Sequence, residues 1–148
     1  SFNMAGWLVG MLLGAKVAVD AVVKVKSNVD SGMFAPIQAG AIAALKNSDT
    51  WHRERNQIYA ERRELVAQIF DRLQFSHETE QVGLFIWAKA PPKVGDVPAF
   101  CDEVLLRHHI FLTPGSIFGT NGARYARASL CAPAPRLREA LARLEHQQ

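Results

Sequence analysis

Apolar positions fall along this chain in three rhythms, and each rhythm predicts a different element. Residues 6–14 (Gly-Trp-Leu-Val-Gly-Met-Leu-Leu-Gly) are apolar and punctuated by glycines, which reads as a buried strand, although so short a run does not exclude a helix by periodicity alone. Residues 15–26 then place Val19, Val22, Val23 and Lys26 at helical spacing, with a basic last turn that suits the helix dipole. Residues 27–32 (Ser-Asn-Val-Asp-Ser-Gly) are turn chemistry, and Pro36 fits the first turn of a helix running to about Leu45. The strongest helical signal covers residues 49–74. There Ile58, Leu65, Val66, Ile69, Phe70 and Leu73 form one apolar stripe opposite alternating charges, with Asp49 placed to cap the start. At ~1.5 Å per residue this helix extends roughly 40 Å, a length suited to bridging two parts of a larger molecule.

Beyond residue 75 the rhythm shortens. Residues 83–89 read as a strand closed by Pro91-Pro92, and residues 97–108 as a helix with Phe100, Val104 and Leu105 on one face. Residues 110–112 read as a short strand ended by the Pro114-Gly115 turn, and residues 123–130 as a third strand. Residues 135–145 close the pattern as a helix with Leu137, Leu141 and Leu144 in register and Pro135 in its first turn. The predicted class is α/β, with a small α+β layer: a three-stranded sheet with helices on one face, preceded by the long helix. The strand at 6–14 finds too few partners in this chain to cover both its faces. The N-terminal segment is therefore expected to self-associate or to pack in another way.

Composition narrows the function classes. Of 148 residues, 49% are hydrophobic and 21% charged, as in a globular domain with a core. The net charge of +3 is mild, and bases alternate with acids (His52-Arg53-Glu54-Arg55, Glu61-Arg62-Arg63-Glu64), which argues against a nucleic-acid surface. Cys101 and Cys131 have no metal-ligand or CxxC spacing, and read as two reduced, mostly buried thiols. The five histidines (His52, His77, His108, His109, His146) form no zinc pattern, so no metal is expected, and His108-His109 reads as a helix end. Residues 4–15 lack the basic start of a signal peptide, and no stretch approaches the ~20 apolar residues that span a bilayer. The expected location is cytoplasmic, with no membrane partner.

Arg127 is the leading candidate for chemistry. In Ala123-Arg124-Tyr125-Ala126-Arg127-Ala128-Ser129-Leu130, strand alternation places Tyr125, Arg127 and Ser129 on one face and Arg124 on the other. A mid-strand arginine between alanines is costly unless paired. Its fork of donors fits a carboxylate on a substrate, and fits equally a salt bridge to a protein acid. The loop at residues 113–122 can present backbone amides and Phe118 to a ligand. Trp7 and Trp87 read as core residues. Lys16, Lys24, Lys26, Lys46, Lys89 and Lys93 lie at helix ends or beside loops and read as solvated, unlike a Schiff-base lysine with a lowered pKa. No Ser/His/Asp triad or carboxylate pair follows from spacing.

A set of segments in order carries a family resemblance over essentially the whole chain. They are Ser1-Phe2-Asn3-Met4-Ala5-Gly6-Trp7, residues 24–32 with Pro36-Ile37-Gln38, Tyr59 with Arg62-Arg63, Leu84-Phe85-Ile86-Trp87-Ala88, Pro114-Gly115 with Phe118-Gly119, and Tyr125 to Leu130. Together they resemble the C-terminal part of fold-type I, class I/II aminotransferases that use pyridoxal phosphate, in the branch of diaminopimelate, alanine and aspartate aminotransferase-like enzymes. The resemblance implies that the lysine carrying the cofactor as a Schiff base precedes Ser1, so this chain holds no catalytic lysine of its own. It implies a parent enzyme that moves an amino group between an amino acid and a 2-oxo acid in two half-reactions, the cofactor acting as electron sink. It implies that Arg127 holds the substrate α-carboxylate. It assigns residues 1–48 to a remnant of the large cofactor-binding domain and the interdomain segment, and residues 49–148 to the small domain. It implies a homodimer in which residues 28–34 approach the partner's site.

One position departs from the pattern. The family places a phosphate-contacting arginine two residues after Gly6, where this chain has Leu8. Leucine supplies no charge-assisted contact. No cofactor-binding residue is therefore assigned here, and the fragment alone is expected to be inactive and to leave pyridoxal phosphate unbound. The alternative is a non-catalytic binding or regulatory module that keeps the small-domain fold.

Overall fold

All five helices start within a residue or two of where the apolar spacing put them, and the first runs further than its pattern. The structure is a computed structural model that describes residue 2 and residues 4–145; Ser1 and Asn3 of the opening motif and His146 lie outside them. It divides into two units, Ser1–His52 and Arg53–Gln148.

In the first unit the predicted strand at 6–14 is not formed. A 3-10 turn covers Ala5–Trp7 and irregular backbone follows. A strand needs a hydrogen-bonded neighbour, and the first unit has no strand among its described residues. Trp7 is not core either: it stands 44% exposed, its ring laid on Gly40, where a Cβ would strike it. Helix α1 (Lys16–Val29) outlasts the expected stop at Lys26 by three residues, with the Asn28 amide donating to the Lys24 carbonyl at 2.6 Å. Turn-forming residues thus sit inside its last turn, where side-chain bonding to the backbone is cheapest. No residue of α1 is buried. Helix α2 (Ala35–Leu45) has Pro36 in its first turn, as read. Helix α3 (Asp49–Arg72) begins one residue after its cap: Ser48 Oγ, not Asp49, accepts a backbone bond, from Trp51 N–H at 3.2 Å.

The second unit is built on a four-stranded antiparallel sheet of order β1-β2-β4-β3, comprising β1 (Ser76–His77), β2 (Phe85–Lys89), β3 (Thr113–Pro114) and β4 (Tyr125–Ser129). Three strands were expected. The extra one, β1, has two residues, too few for alternation to register. It follows a turn in which Gln74 takes a left-handed φ of 63°. Strand β3 forms at 113–114, after the predicted 110–112. Ile110 and Leu112 are buried all the same, so the apolar signal reported burial rather than pairing.

Helices α3, α4 (Val97–His108) and α5 (Ala134–Glu145) cover one face of this sheet. Val66, Ile69 and Phe70 of α3, Val97, Cys101 and Val104 of α4, and Leu137 and Leu144 of α5 meet Ile86, Ala88, Ala126 and Ala128 from the inner face of β2 and β4. Asp96 caps α4 by accepting from Ala99 N–H at 3.1 Å, and His109 ends it with a φ of 55°. Cys101 is buried as expected, whereas Cys131, two residues past the end of the last strand at Ser129, is exposed. Burial, with the Asp102 charge adding to it, pushes the Cys101 thiol up from its ordinary 9.0 to about 11.

Candidate functional site

The outer face of the sheet is set by register. Trp87 lies opposite Arg127, Phe85 opposite Ser129 and Lys89 opposite Tyr125, so these six side chains share the face away from the helices. Tyr125, Arg127 and Ser129 therefore stand together as the alternation predicted. The inner positions between them, Ala126 and Ala128, are buried and small, which lets the helices pack close beneath.

Arg127 is half-buried, and its guanidinium carbon lies over two phenyl rings, 4.1 Å from the centre of Phe85 and 4.2 Å from that of Phe118. Among the described residues no carboxylate forms an ion pair with it and no carbonyl takes a hydrogen bond from it. Phe118 reaches this place because the loop before β4 folds into two 3-10 turns, Gly115–Phe118 and Thr120–Gly122, pressed together at their glycines. A Cβ at Gly115 would run into the Gly122 carbonyl, meet the Tyr125 carbonyl at 2.7 Å and the Trp87 ring at 2.8 Å, so only glycine fits there. The loop brings Phe118 over the Arg127 guanidinium.

Trp87 does not join the core. It stacks on Tyr125 with ring centres 5.4 Å apart and meets Phe118 edge-on at 5.8 Å, forming an aromatic floor beside Arg127. Its backbone is held by Gln81, whose side-chain amide both accepts from Trp87 N–H and donates to Trp87 C=O, each at 2.8 Å. That amide continues the β2 edge where β1 has ended. A cleft of about 450 Å³ opens here, lined in part by Gln81, Trp87, Lys89 and Tyr125. The sequence reading missed Phe85, Trp87 and Gln81 as site residues. The alternation Phe85-x-Trp87-x-Lys89 could have found the first two, had the β2–β4 register been known.

Arg124 has the opposite fate from Arg127. It is half-buried, and donates to the carbonyls of Val94, Ala90 (3.3 Å) and Pro91 (2.8 Å), pinning the Pro91-Pro92 loop. Two arginines three residues apart are thus divided by strand alternation into a structural tie and an unpaired fork. Arg62 bonds the Leu130 and Cys131 carbonyls at 3.2 and 3.3 Å, and Arg63 bonds the Gly83 carbonyl at 2.9 Å, so both hold α3 to loops of the sheet.

In the first unit, Leu8 stands 88% exposed with a left-handed φ of 51°. All six lysines are exposed, Lys16 and Lys26 each beside an acid one helical turn on (Asp20 and Asp30) and Lys93 bonded to Gln74. The solvated reading of the lysines holds.

The family model described as aminotransferase class I and II matches residues 1–144. The chain belongs to this aminotransferase family. It is 39% identical, over 144 residues, to the LL-diaminopimelate aminotransferase of Nitratidesulfovibrio vulgaris (strain DSM 19637 / Miyazaki F), a match covering 97% of this chain and 37% of that protein. Among solved structures, substrate-bound BacF from Bacillus subtilis superposes with a TM-score of 0.85 at 31% identity, over 99% of this chain and 38% of that one. The aromatic aminotransferase of Pyrococcus horikoshii OT3 superposes at 0.84 with 25% identity, over 97% and 39%. The aminotransferase segment thus spans little more than a third of the length of these relatives.

Aminotransferases of this family use pyridoxal phosphate. At position 8, where the resemblance places a phosphate-contacting arginine, Leu8 offers only hydrocarbon, and every lysine among the described residues is exposed. What the second unit does offer is a guanidinium with no ion pair among the described residues, set over two phenyl rings.

Proposed function

We propose that this chain corresponds to the C-terminal part of an aminotransferase acting on an amino acid and a 2-oxo acid, and that Arg127 receives the substrate's α-carboxylate. The observation that carries the reading is Arg127 itself: a half-buried cation with no ion pair among the described residues, facing out of the sheet beside an aromatic floor. An amino acid and its 2-oxo acid share the carboxylate, so one fork serves both half-reactions. Bidentate pairing fixes the carboxylate's plane, and the flanking rings keep water from the guanidinium faces. By family correspondence, residues 1–48 belong with the large domain and residues 49–148 form the small domain. Homodimerisation, with residues 28–34 reaching the partner's site, comes from the same source and is supported by the exposure of Met33 and Phe34. The names of the relatives support an amino acid of biosynthesis as substrate, with diaminopimelate the first to assay. A cytoplasmic location fits such a role; no helix among the described residues is long and apolar enough to cross a membrane.

Arg127 is tested in a chimera in which residues 1–148 replace the matching segment of the Nitratidesulfovibrio relative. Arg127→Gln is expected to lower kcat/KM at least ~100-fold, for loss of a charge-assisted bidentate contact together with its orientation. Unchanged kinetics would sink the assignment. The 148-residue chain alone, mixed with pyridoxal phosphate and borohydride, is expected to give no single stoichiometrically labelled lysine. One lysine labelled mole for mole would reverse the inactive-fragment reading. The second reading, a non-catalytic module, is favoured by Leu8, and a chimera inactive with native Leu8 but active after Leu8→Arg would support it.

A further inference from the structure

We propose that Phe85 and Phe118 are positioning residues that hold the Arg127 guanidinium for a carboxylate, in the place a protein acid would otherwise take. The proposal rests on the reading of Arg127 as a carboxylate receptor.

A half-buried guanidinium without an ion pair or hydrogen bond is costly, and most are tied down by an acid or by carbonyls, as Arg124 is by three. Arg127 has two ring faces instead, with centres at 4.1 and 4.2 Å. Aromatic quadrupoles attract the flat side of the cation, while the five N–H donors point outward in its plane. The rings therefore orient the fork and leave every donor free. A protein carboxylate in the same place would orient it equally well but would occupy the donors, and a ligand would have to displace it.

The two rings are held by different parts of the chain, so the guanidinium is contacted from two separately fixed elements. Phe85 opens β2, beside the Leu84 carbonyl that accepts from Leu130 N–H at 2.9 Å. Phe118 ends the 3-10 turn locked by Gly115 and Gly122 and is met edge-on by Trp87 at 5.8 Å. Neither ring is needed for the core: Phe85 is 40% and Phe118 51% exposed, and neither belongs to the buried cluster. Their exposure lets a binding role be separated from a folding role.

The test uses the 148-residue chain labelled with nitrogen-15, acetate as the probe, and the Nε–Hε resonance of Arg127 as the readout. In the wild type this resonance is expected to be displaced upfield by the ring currents and to move saturably with acetate. Phe85→Leu and Phe118→Leu keep bulk and lose the ring; each is expected to remove part of the displacement and to raise the acetate Kd about tenfold. Phe85→Tyr and Phe118→Tyr keep the ring and are expected to stay within about threefold of wild type. If Arg127→Gln abolishes acetate binding while the leucine variants bind like wild type, the positioning role is overturned and the carboxylate reading stands. If leucine and tyrosine variants weaken binding equally, the positioning role is again overturned, because packing alone would then explain the loss. If Arg127 does not respond to acetate in the wild type, the carboxylate reading falls and the positioning role with it.

Discussion

Residues 1–52 and residues 53–148 are both rich in apolar side chains, yet they use them in opposite ways. In the second unit the apolar stripes of α3, α4 and α5 converge on one sheet face, and Phe70, Ile86, Leu112 and Leu130 lose essentially all contact with water. In the first unit Ala44 alone among the described residues is a buried apolar side chain, while Val17, Val25, Val29 and Leu13 remain largely exposed. Both halves have helices of good amphipathic pattern. The difference is that, among the described residues, only the second has a sheet to supply the opposing surface. An apolar stripe prepares a helix to be buried; it does not bury it.

That contrast can be broken by measurement, beginning where the effect should be largest. Phe70→Ala removes a fully buried ring that packs against Phe75 and His77, and should cost the second unit about 3–5 kcal/mol in urea unfolding. A cost below about 1 kcal/mol would mean that the core is not close-packed. Gly115→Ala places a methyl against the Gly122 and Tyr125 carbonyls and the Trp87 ring, and should cost about 1–3 kcal/mol. It should also displace Phe118, read as an altered Arg127 side-chain resonance; an unmoved resonance would separate the loop from the arginine.

The Cys101 thiol gives a smaller, pH-dependent test. Its native pKa is raised from 9.0 to about 11, chiefly by burial. The native state therefore holds this proton in a range where the unfolded state has released it. Its contribution is full below about pH 9 and is lost as pH rises to about 11. Stability should fall across that window more steeply in the wild type than in Cys101→Ala, and equal slopes would mean that the thiol titrates alike in both states. The smallest effect is expected in the first unit. Val25→Ala in α1 should change stability by less than about 0.5 kcal/mol, since nothing covers that side chain. A loss like that at Phe70 would show that α1 is covered in solution, which light scattering would resolve as self-association or as a monomer.

The legible parts of the fold were those with many residues per signal. Helix α3 was read almost to its ends because its apolar positions recur over 24 residues. Strand β4 was read with the correct face because Tyr125, Arg127 and Ser129 alternate with alanines. Strand β1 was invisible because two residues carry no period, and the strand at 6–14 was misread because an apolar run specifies burial without specifying a partner.

The same division holds at the site. Local sequence by itself determined the helices, the face on which Arg127 stands, the glycine loop before it and the family to which the chain belongs, because alternation, helical spacing and ordered motifs are properties of neighbouring residues. Whether Arg127 met an acid or aromatic rings was decided only by tertiary structure. Phe85 and Phe118 lie 42 and 9 residues from it, and they reach it through strand register and a loop closed by two touching glycines. No pattern confined to one segment encodes a contact made across the sheet, and that contact is what leaves the arginine's donors open.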